Sequence, residues 1–224
     1  DGPDTPWDHV HCRTARANQR IGLAVAPSPA GPWVRPAEPV LQPRPGHWDA
    51  LMTTNPAPCV QPDGSAVLVY KSAATDDDLL RLGVAGAEHY LRGYRRLTDG
   101  QILPFGDETP ATSRDEWQTR SHVEDPYVWR GPEGYEMICK DMNGAITGEA
   151  GGGLHATSPD ASEWTVSDPP KAYGRTVRWT DGRTTTQAAF ERPQLLIQQG
   201  RPTHLFAATG TGEGLWAFED ETWN

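Results

Sequence analysis

Cysteine is scarce in this sequence, and long apolar runs and a basic stripe are missing. The three cysteines lie far apart and lack a C-x-x-C spacing, so at most one disulfide can form and a zinc site is not predicted. No apolar run approaches the roughly 18 residues that a membrane span needs. The formal net charge is −10 with no basic stripe, which argues against a nucleic-acid partner.

The sequence begins at Asp1 and shows neither an initiator methionine nor a signal peptide. We therefore expect that the natural chain has been processed or trimmed. Cysteine use does not decide the compartment, and no targeting segment is visible, so both a secreted and a cytoplasmic localisation stay open.

The composition is polar for a folded chain but rich in tryptophan and in turn-forming residues. Mean hydropathy is −0.64, yet nine tryptophans argue against disorder, because disordered segments are poor in aromatics. The 23 glycines and 21 prolines are spread along the chain, which indicates many turns between short strands. No stretch has convincing helical periodicity. These features predict an all-β fold.

An internal repeat organises the chain. Three segments each contain a proline, an apolar strand, a turn with glycine and a second apolar strand, as expected of β-hairpins. The prolines are 70 and 67 residues apart. The repeats begin at Asn55-Pro56, Glu124-Asp125-Pro126 and Glu191-Arg192-Pro193. Further strands between the hairpins are expected at Arg20–Trp33 and Gly153–Trp164, with weaker copies at Leu82–Tyr90 and Gly214–Glu219.

A hairpin followed by two more strands makes a four-stranded unit of about 70 residues, and repeated sheets of this kind predict a β-propeller. A β-sandwich is the rival architecture, but repetition at a fixed period favours the propeller. We expect residues 1–224 to form one five-bladed propeller domain. Blade one is partial, at about residues 1–45, and later blades begin near 55, 124 and 191. Extended by one period, the repeat runs past both ends of the chain, so the propeller is expected to be incomplete, with open strand edges that favour self-association.

A propeller gathers the innermost strand of every blade around one axis, so residues at matching repeat positions are expected to converge. The matching positions before the prolines are occupied by Thr54-Asn55, Glu124-Asp125 and Glu191-Arg192. Crowded carboxylates raise one another's pKa, because like charges disfavour ionisation. One protonated and one ionised carboxyl is the division that glycoside hydrolysis requires.

The segments SHVEDPYVW and AFERPQLLI, at this spacing, resemble the five-bladed propeller enzymes of glycoside hydrolase families 43, 32 and 117. The stretch KDMNGAITGE and the strand after it are most similar to family 117 and its unclassified relatives. The resemblance implies that Glu191 is the general acid and that Asp125 raises its pKa and holds the substrate. It also implies that His155 or His122 shares the acid role.

The same resemblance implies a general base on an Asp-Pro motif in the first blade. The repeat spacing puts that motif upstream of residue 1, and neither Asp4 nor Asp8 lies in such a motif. Related enzymes hold a calcium ion at the channel centre, and no ligand set in this sequence identifies one. Asp8, His9 and His11 resemble a metal cluster, but an exposed loop is favoured.

Several other polar and aromatic side chains have two interpretations. Asn55, Glu124, Arg192 and His155 are candidates for substrate binding, although Arg192 also suits an ion pair and His155 a buried core histidine. Asp141 is expected in a turn. Two tryptophans, Trp129 and Trp179, suit stacking on sugars, while burial between blades is favoured for Trp33, Trp129 and Trp164.

The sequence therefore predicts a glycosidase that acts on an oligosaccharide or a terminal sugar. A carbohydrate-binding propeller without catalysis is the main alternative, and a scaffold for protein partners is the third. The predicted partner is a carbohydrate rather than a nucleic acid or a membrane.

Overall fold

A computed structural model of the protein describes residues 10–75, 79–103, 116 and 119–212. Within these ranges helix α1 (Val10–Ala17) precedes a succession of strands. The strands are β1 (Thr54–Val60), β2 (Ala66–Ser72), β3 (Arg81–Ala87), β4 (Arg95–Arg96), β5 (Val123–Gly131), β6 (Gly134–Asp141), β7 (Gly152–Ser158), β8 (Thr165–Tyr173), β9 (Thr176–Arg178), β10 (Thr184–Thr186), β11 (Ala189–Gln198) and β12 (Arg201–Gly210). None of the described helical residues forms a helix long and apolar enough to cross a membrane.

The strands form two four-stranded antiparallel sheets of the same order. Unit A is β1-β2-β3-β4, and unit B is β5-β6-β7-β8. A third hairpin, β11–β12, repeats the first half of such a unit, while β9 and β10 pair separately. The turn of the β11–β12 hairpin holds Gln199 and Gly200, both with positive φ (52° and 76°), as a tight type I′ hairpin requires. The all-β class and the four-stranded repeat are thus confirmed.

Each repeat proline lies at a break in the pairing of its strand. The register shifts between Thr54 and Ala57 in β1, and β5 and β11 shift at the same repeat position. Proline has no N–H and cannot extend the ladder, so an irregularity is expected there. The residue before each proline has a left-handed backbone, with φ of 46° at Asn55, 51° at Asp125 and 50° at Arg192. A bulge of this kind redirects the side chain that it carries.

Burial on both faces explains why β2 reads as a continuous apolar run. Val67 and Val69 point into the core between units A and B. Leu68 and Tyr70 alternate with them and pack against the segment before β1. Successive strand residues face opposite sides, so a strand covered on both faces must be apolar throughout.

The segment expected as a strand at Arg20–Trp33 differs from the prediction. It forms only two isolated β-bridges, Ile21 with Leu41 and Val25 with Val34. Its frequent prolines lack the N–H groups that a ladder needs. The expected burial of Trp33 is wrong, because this residue is 61% exposed, whereas the burial of Trp129 and Trp164 is confirmed.

Other expectations have mixed outcomes. The weaker copy at Leu82–Tyr90 forms β3, but Gly214–Glu219 lies outside the described residues, as do Asp4, Asp8 and His9. Helix α1 was not predicted, and His11 is described only as part of it. The count of five blades, the single domain over 1–224, the incompleteness and the self-association stay predictions.

The packing of unit A on unit B predicts a large difference between two leucine truncations. Leu154→Ala removes a side chain with no exposure from the core of β7, so unfolding should become easier by about 2–5 kcal/mol. Leu196→Ala removes a side chain that is 41% exposed on β11 and should cost under about 1 kcal/mol. Urea denaturation of both variants measures the difference, and equal losses would contradict a core between the two units.

Candidate active site

The three residues with a left-handed backbone before the repeat prolines lie together, and Asp125 contacts the other two. Strand β5 contacts both β1 and β11, so the three bulges are neighbours. The side-chain amide of Asn55 donates a hydrogen bond to Oδ1 of Asp125. The backbone N–H of Arg192 donates to Oδ2 of the same carboxyl at 3.3 Å. The repeat thus brings one residue from each of three hairpins into direct contact.

Two of the residues one position earlier, Glu124 and Glu191, take part in a chain of alternating charges. Lys71 Nζ lies 2.6 Å from Oε2 of Glu124, and Lys140 Nζ lies 3.4 Å from Oε1. Lys140 also contacts Oε1 of Glu191, whose other oxygen lies 3.3 Å from Nη1 of Arg192. We call these five residues the charge chain. It crosses from unit A through unit B to the third hairpin.

Strand register places the two lysines. Lys71 on β2 lies opposite Thr54, and Lys140 on β6 lies opposite Glu124, which are equivalent positions in units A and B. Each lysine also reaches the glutamate of the next repeat. The Lys140 side chain has no exposure, and a buried ammonium is tolerated only with ionised partners. Glu124 and Glu191 supply them on either side.

The carboxyls of the site have different electrostatic surroundings. Burial alone would raise the pKa of Glu124, but the ammonium groups of Lys71 and Lys140 outweigh burial and hold that pKa at about 2. The pKa of Asp125 is raised, first by burial and then by the negative charge of Glu124; three nearby cations offset only part of this. Asp125 therefore keeps a proton to higher pH than an ordinary aspartic acid.

The two carboxyls of the site are buried, whereas two side chains at its rim are more exposed to solvent. Asp125 is 4% exposed and Glu191 is 5% exposed. The Arg192 side chain is 64% exposed, and Asn55 is half-buried. A ligand that enters from solvent meets Arg192 and Asn55 before it meets the carboxyls. The arrangement can supply a proton from one carboxyl beside a second, ion-paired carboxylate.

The remaining candidates of the sequence lie elsewhere or have structural partners. His155 on β7 is hydrogen-bonded to Ser167 (2.7 Å) and Glu136 (3.3 Å), neither of which belongs to the charge chain. His122 is fully buried, and its Nδ1 accepts the backbone N–H of Leu80. Asp141 accepts hydrogen bonds from backbone N–H groups of the following loop, so its turn role is confirmed.

The described residues do not fit a calcium site. No group of three or more His, Cys, Asp or Glu side chains among them is arranged to hold a metal ion. Glu124 and Glu191 already pair with lysines, and an added cation would have to displace those ammonium groups.

Sequence reasoning missed three residues beside the site: Lys71, Lys140 and Tyr173. The lysines carried a signal, because each follows the apolar run in the second strand of its hairpin, in VLVYK and EMICK. The third hairpin has Ala208 at that position, opposite Glu191. Tyr173 is at the end of β8 and carries no repeat signal.

Comparison with known proteins gives matches to solved structures only. No family model matches the sequence, and no curated protein gives a significant match. Fructan 1-exohydrolase IIa from Cichorium intybus is similar at a TM-score of 0.53 and 14% identity, over 86% of this chain and 36% of that one. A thermostable family-43 glycoside hydrolase has a TM-score of 0.50 and 14% identity, over 89% of this chain and 59% of that one.

A family 117 glycoside hydrolase, Zg3597 from Zobellia galactanivorans, has a TM-score of 0.49 and 18% identity, over 75% of this chain and 43% of that one. The chain thus spans 36% to 59% of the length of these three structures. Identities this low show the fold alone, and the similarity to the first two carries that conclusion. The chain has the fold of the β-propeller glycoside hydrolases.

Proposed function

We propose that this chain carries the active-site carboxyls of an enzyme that hydrolyses a glycosidic bond, in an oligosaccharide or at a terminal sugar. The observation that carries the proposal is that Asp125 and Glu191 both accept a hydrogen bond from Arg192 and have different electrostatic surroundings. Glycoside hydrolysis uses two such carboxyls, one that gives a proton and one that is ionised. The fold shared with glycoside hydrolases supports the proposal.

In this proposal Asp125 protonates the leaving oxygen. Its pKa is raised by burial and by Glu124, so the carboxyl holds its proton as the pH approaches neutrality. Glu191 contacts Lys140 and Arg192, and cations in contact stabilise a carboxylate. This division is the reverse of the one that the family resemblance implies, where Glu191 is the acid and an ionised Asp125 assists it.

Glu191 then takes the ionised role at the anomeric carbon. It acts there directly or through a water molecule, and the two routes give retention or inversion of the sugar configuration. Asn55 and Arg192 are proposed to bind sugar hydroxyls at the rim, since each already contacts Asp125 or Glu191 and is open to solvent. Glu124 orders the two lysines, and His155 is left with a supporting role in unit B.

One observation favours a second candidate, a propeller that binds carbohydrate without hydrolysing it. Lys140 lies between Glu124 and Glu191 and neutralises both, which also suits a purely structural network. Binding without turnover in the experiment below would support this candidate.

Substitution of the two carboxyls should affect substrates with good and poor leaving groups differently. Asp125→Asn should lower kcat for unactivated oligosaccharides by about 10²- to 10⁴-fold, the range of general acid catalysis, and should largely spare activated aryl glycosides. Glu191→Gln should lower kcat for both. A panel of aryl glycosides and of plant and algal oligosaccharides, with stopped assays for each variant, measures the contrast.

Glu163→Gln is the matched control, since Glu163 is exposed in the β7–β8 turn, and its activity should equal that of the parent. If Glu191→Gln instead spares the activated substrates, Glu191 is the acid and the proposed division is wrong. If calorimetry detects sugar binding but no glycoside is hydrolysed, the non-catalytic candidate replaces the enzyme. Parent rates in both variants would rule out the site.

Removal of the Glu124 charge should move the upper pH limit of activity downward. Glu124→Gln removes a negative charge that raises the pKa of Asp125 and leaves in place the charges of Lys71 and Lys140, which lower it. Asp125 then loses its proton at lower pH, so the basic limb of the kcat/KM profile shifts to lower pH. An unmoved or raised limb would contradict Asp125 as the acid.

A further inference from the structure

One residue of unit B reaches the charge chain from the outermost strand of the sheet. Glu124 on β5 pairs with Lys140 on β6, Lys140 pairs with Gly153 on β7, and Gly153 pairs with Tyr173 on β8. Paired residues on neighbouring strands share a face of the sheet. The four residues therefore form one row, which leads from the outer edge of unit B inward to the candidate active site.

Gly153 has no side chain and therefore leaves room for the Tyr173 ring to extend from β8 over β7. A side chain at Gly153 would clash with the Tyr173 ring, so the ring lies directly on the glycine backbone. The ring of Phe190, the residue before Glu191, lies 5.4 Å from it. In unit A the residue opposite Lys71 is Leu82, which has a side chain where unit B has the glycine. The arrangement thus belongs to the unit that contacts Glu191 and is not a general feature of the repeat.

The hydroxyl of Tyr173 is buried without a hydrogen-bond partner in the described part of the chain. Buried polar groups are nearly always paired, directly or through an ordered water molecule. Burial, then Cys139, Asp125 and Glu191, raise the pKa of Tyr173 well above its ordinary value, so the phenol is a donor at any working pH. The carboxyl groups of Asp125 and Glu191 nearby are acceptors with unused lone pairs.

We propose that Tyr173 is a positioning residue of the candidate active site, whose hydroxyl donates a hydrogen bond through one buried water molecule to the Asp125 carboxyl. The proposal rests on the proposed function, because it adds a residue to the same site. Asp125 accepts one direct hydrogen bond on each oxygen, from Asn55 and Arg192, and each oxygen has room for another. Tyr173 would thereby fix the orientation of the carboxyl and limit the rise of its pKa.

The charges around Asp125 come from several of the strands packed against it, and the test must separate their effects from that of the hydroxyl. The titratable groups are Lys71 on β2, Glu124 on β5, Cys139 and Lys140 on β6, Tyr173 on β8, and Glu191 and Arg192 on β11. Tyr173→Phe removes one oxygen atom, keeps the ring on Gly153 and changes no charge.

The experiment follows the Asp125 carboxyl by carbon NMR in protein labelled with ¹³C-aspartate, with Asp125→Asn to assign the signal. Tyr173→Phe should raise the titration midpoint of Asp125 by about half a pH unit or more, since a donor to a carboxylate favours its ionised form. The matched control is Tyr127→Phe, whose hydroxyl donates to the backbone oxygen of Leu195 at 2.9 Å. The control should leave the Asp125 midpoint unchanged.

A second measurement needs no substitution at Tyr173. In protein labelled with 3-fluorotyrosine, one of the six tyrosine signals should shift with the midpoint of Asp125, and that step should vanish in Asp125→Asn. If Tyr173→Phe leaves the Asp125 midpoint unchanged, or no fluorine signal follows it, the proposal is wrong. Neither readout needs a substrate, so an inactive protein in which both shifts occur would refute the proposed function and leave the Tyr173 contact established.

Discussion

The organisation of the site depends on the ion pairs of Lys140. Its side chain has no exposure, so its charge must be met by carboxylates held at contact distance. Glu124 comes from the neighbouring strand of the same sheet, and Glu191 comes from the third hairpin. One buried ammonium therefore ties unit B to the third hairpin at the site.

A second constraint lies in the backbone. Proline at the same position of each repeat interrupts the ladder, and the residue before it adopts a left-handed conformation. The bulges turn Asn55, Asp125 and Arg192 toward one another, while the residues before them stay in register with the second strand. Adjacent positions thus serve two different networks. The Asn55 side chain and the Arg192 backbone hydrogen-bond to Asp125, while Glu124, Glu191 and the Arg192 side chain belong to the charge chain.

Much of this architecture could be predicted from the sequence, because repeats carry information that single motifs lack. The prolines located the start of each repeat, and the turns with glycine located the hairpins. The segment Arg20–Trp33 was misjudged because its small residues and S-P motif resemble a strand, while its prolines remove the donors a strand needs. Lys140 was missed because a lysine after an apolar strand normally ends that strand at the surface. Tyr173 was missed because its ring reaches the site only where Gly153 has no side chain, and no spacing rule reveals this.

The same backbone carries three different chemistries at its three equivalent positions. The position before the proline is an amide in Asn55, a carboxyl in Asp125 and a guanidinium in Arg192, and the position before that is Thr54, Glu124 and Glu191. Identical residues would place like charges together and destabilise the centre. Divergence among the repeats instead gives each member of the charge chain an opposite neighbour, while Asp125 is buried beside the carboxylate of Glu124 and is compensated only in part by nearby cations. The carboxyl most apt to hold a proton is therefore the one whose ionised form is disfavoured by burial and by a neighbouring carboxylate, which is why Asp125 is the centre of the proposed chemistry.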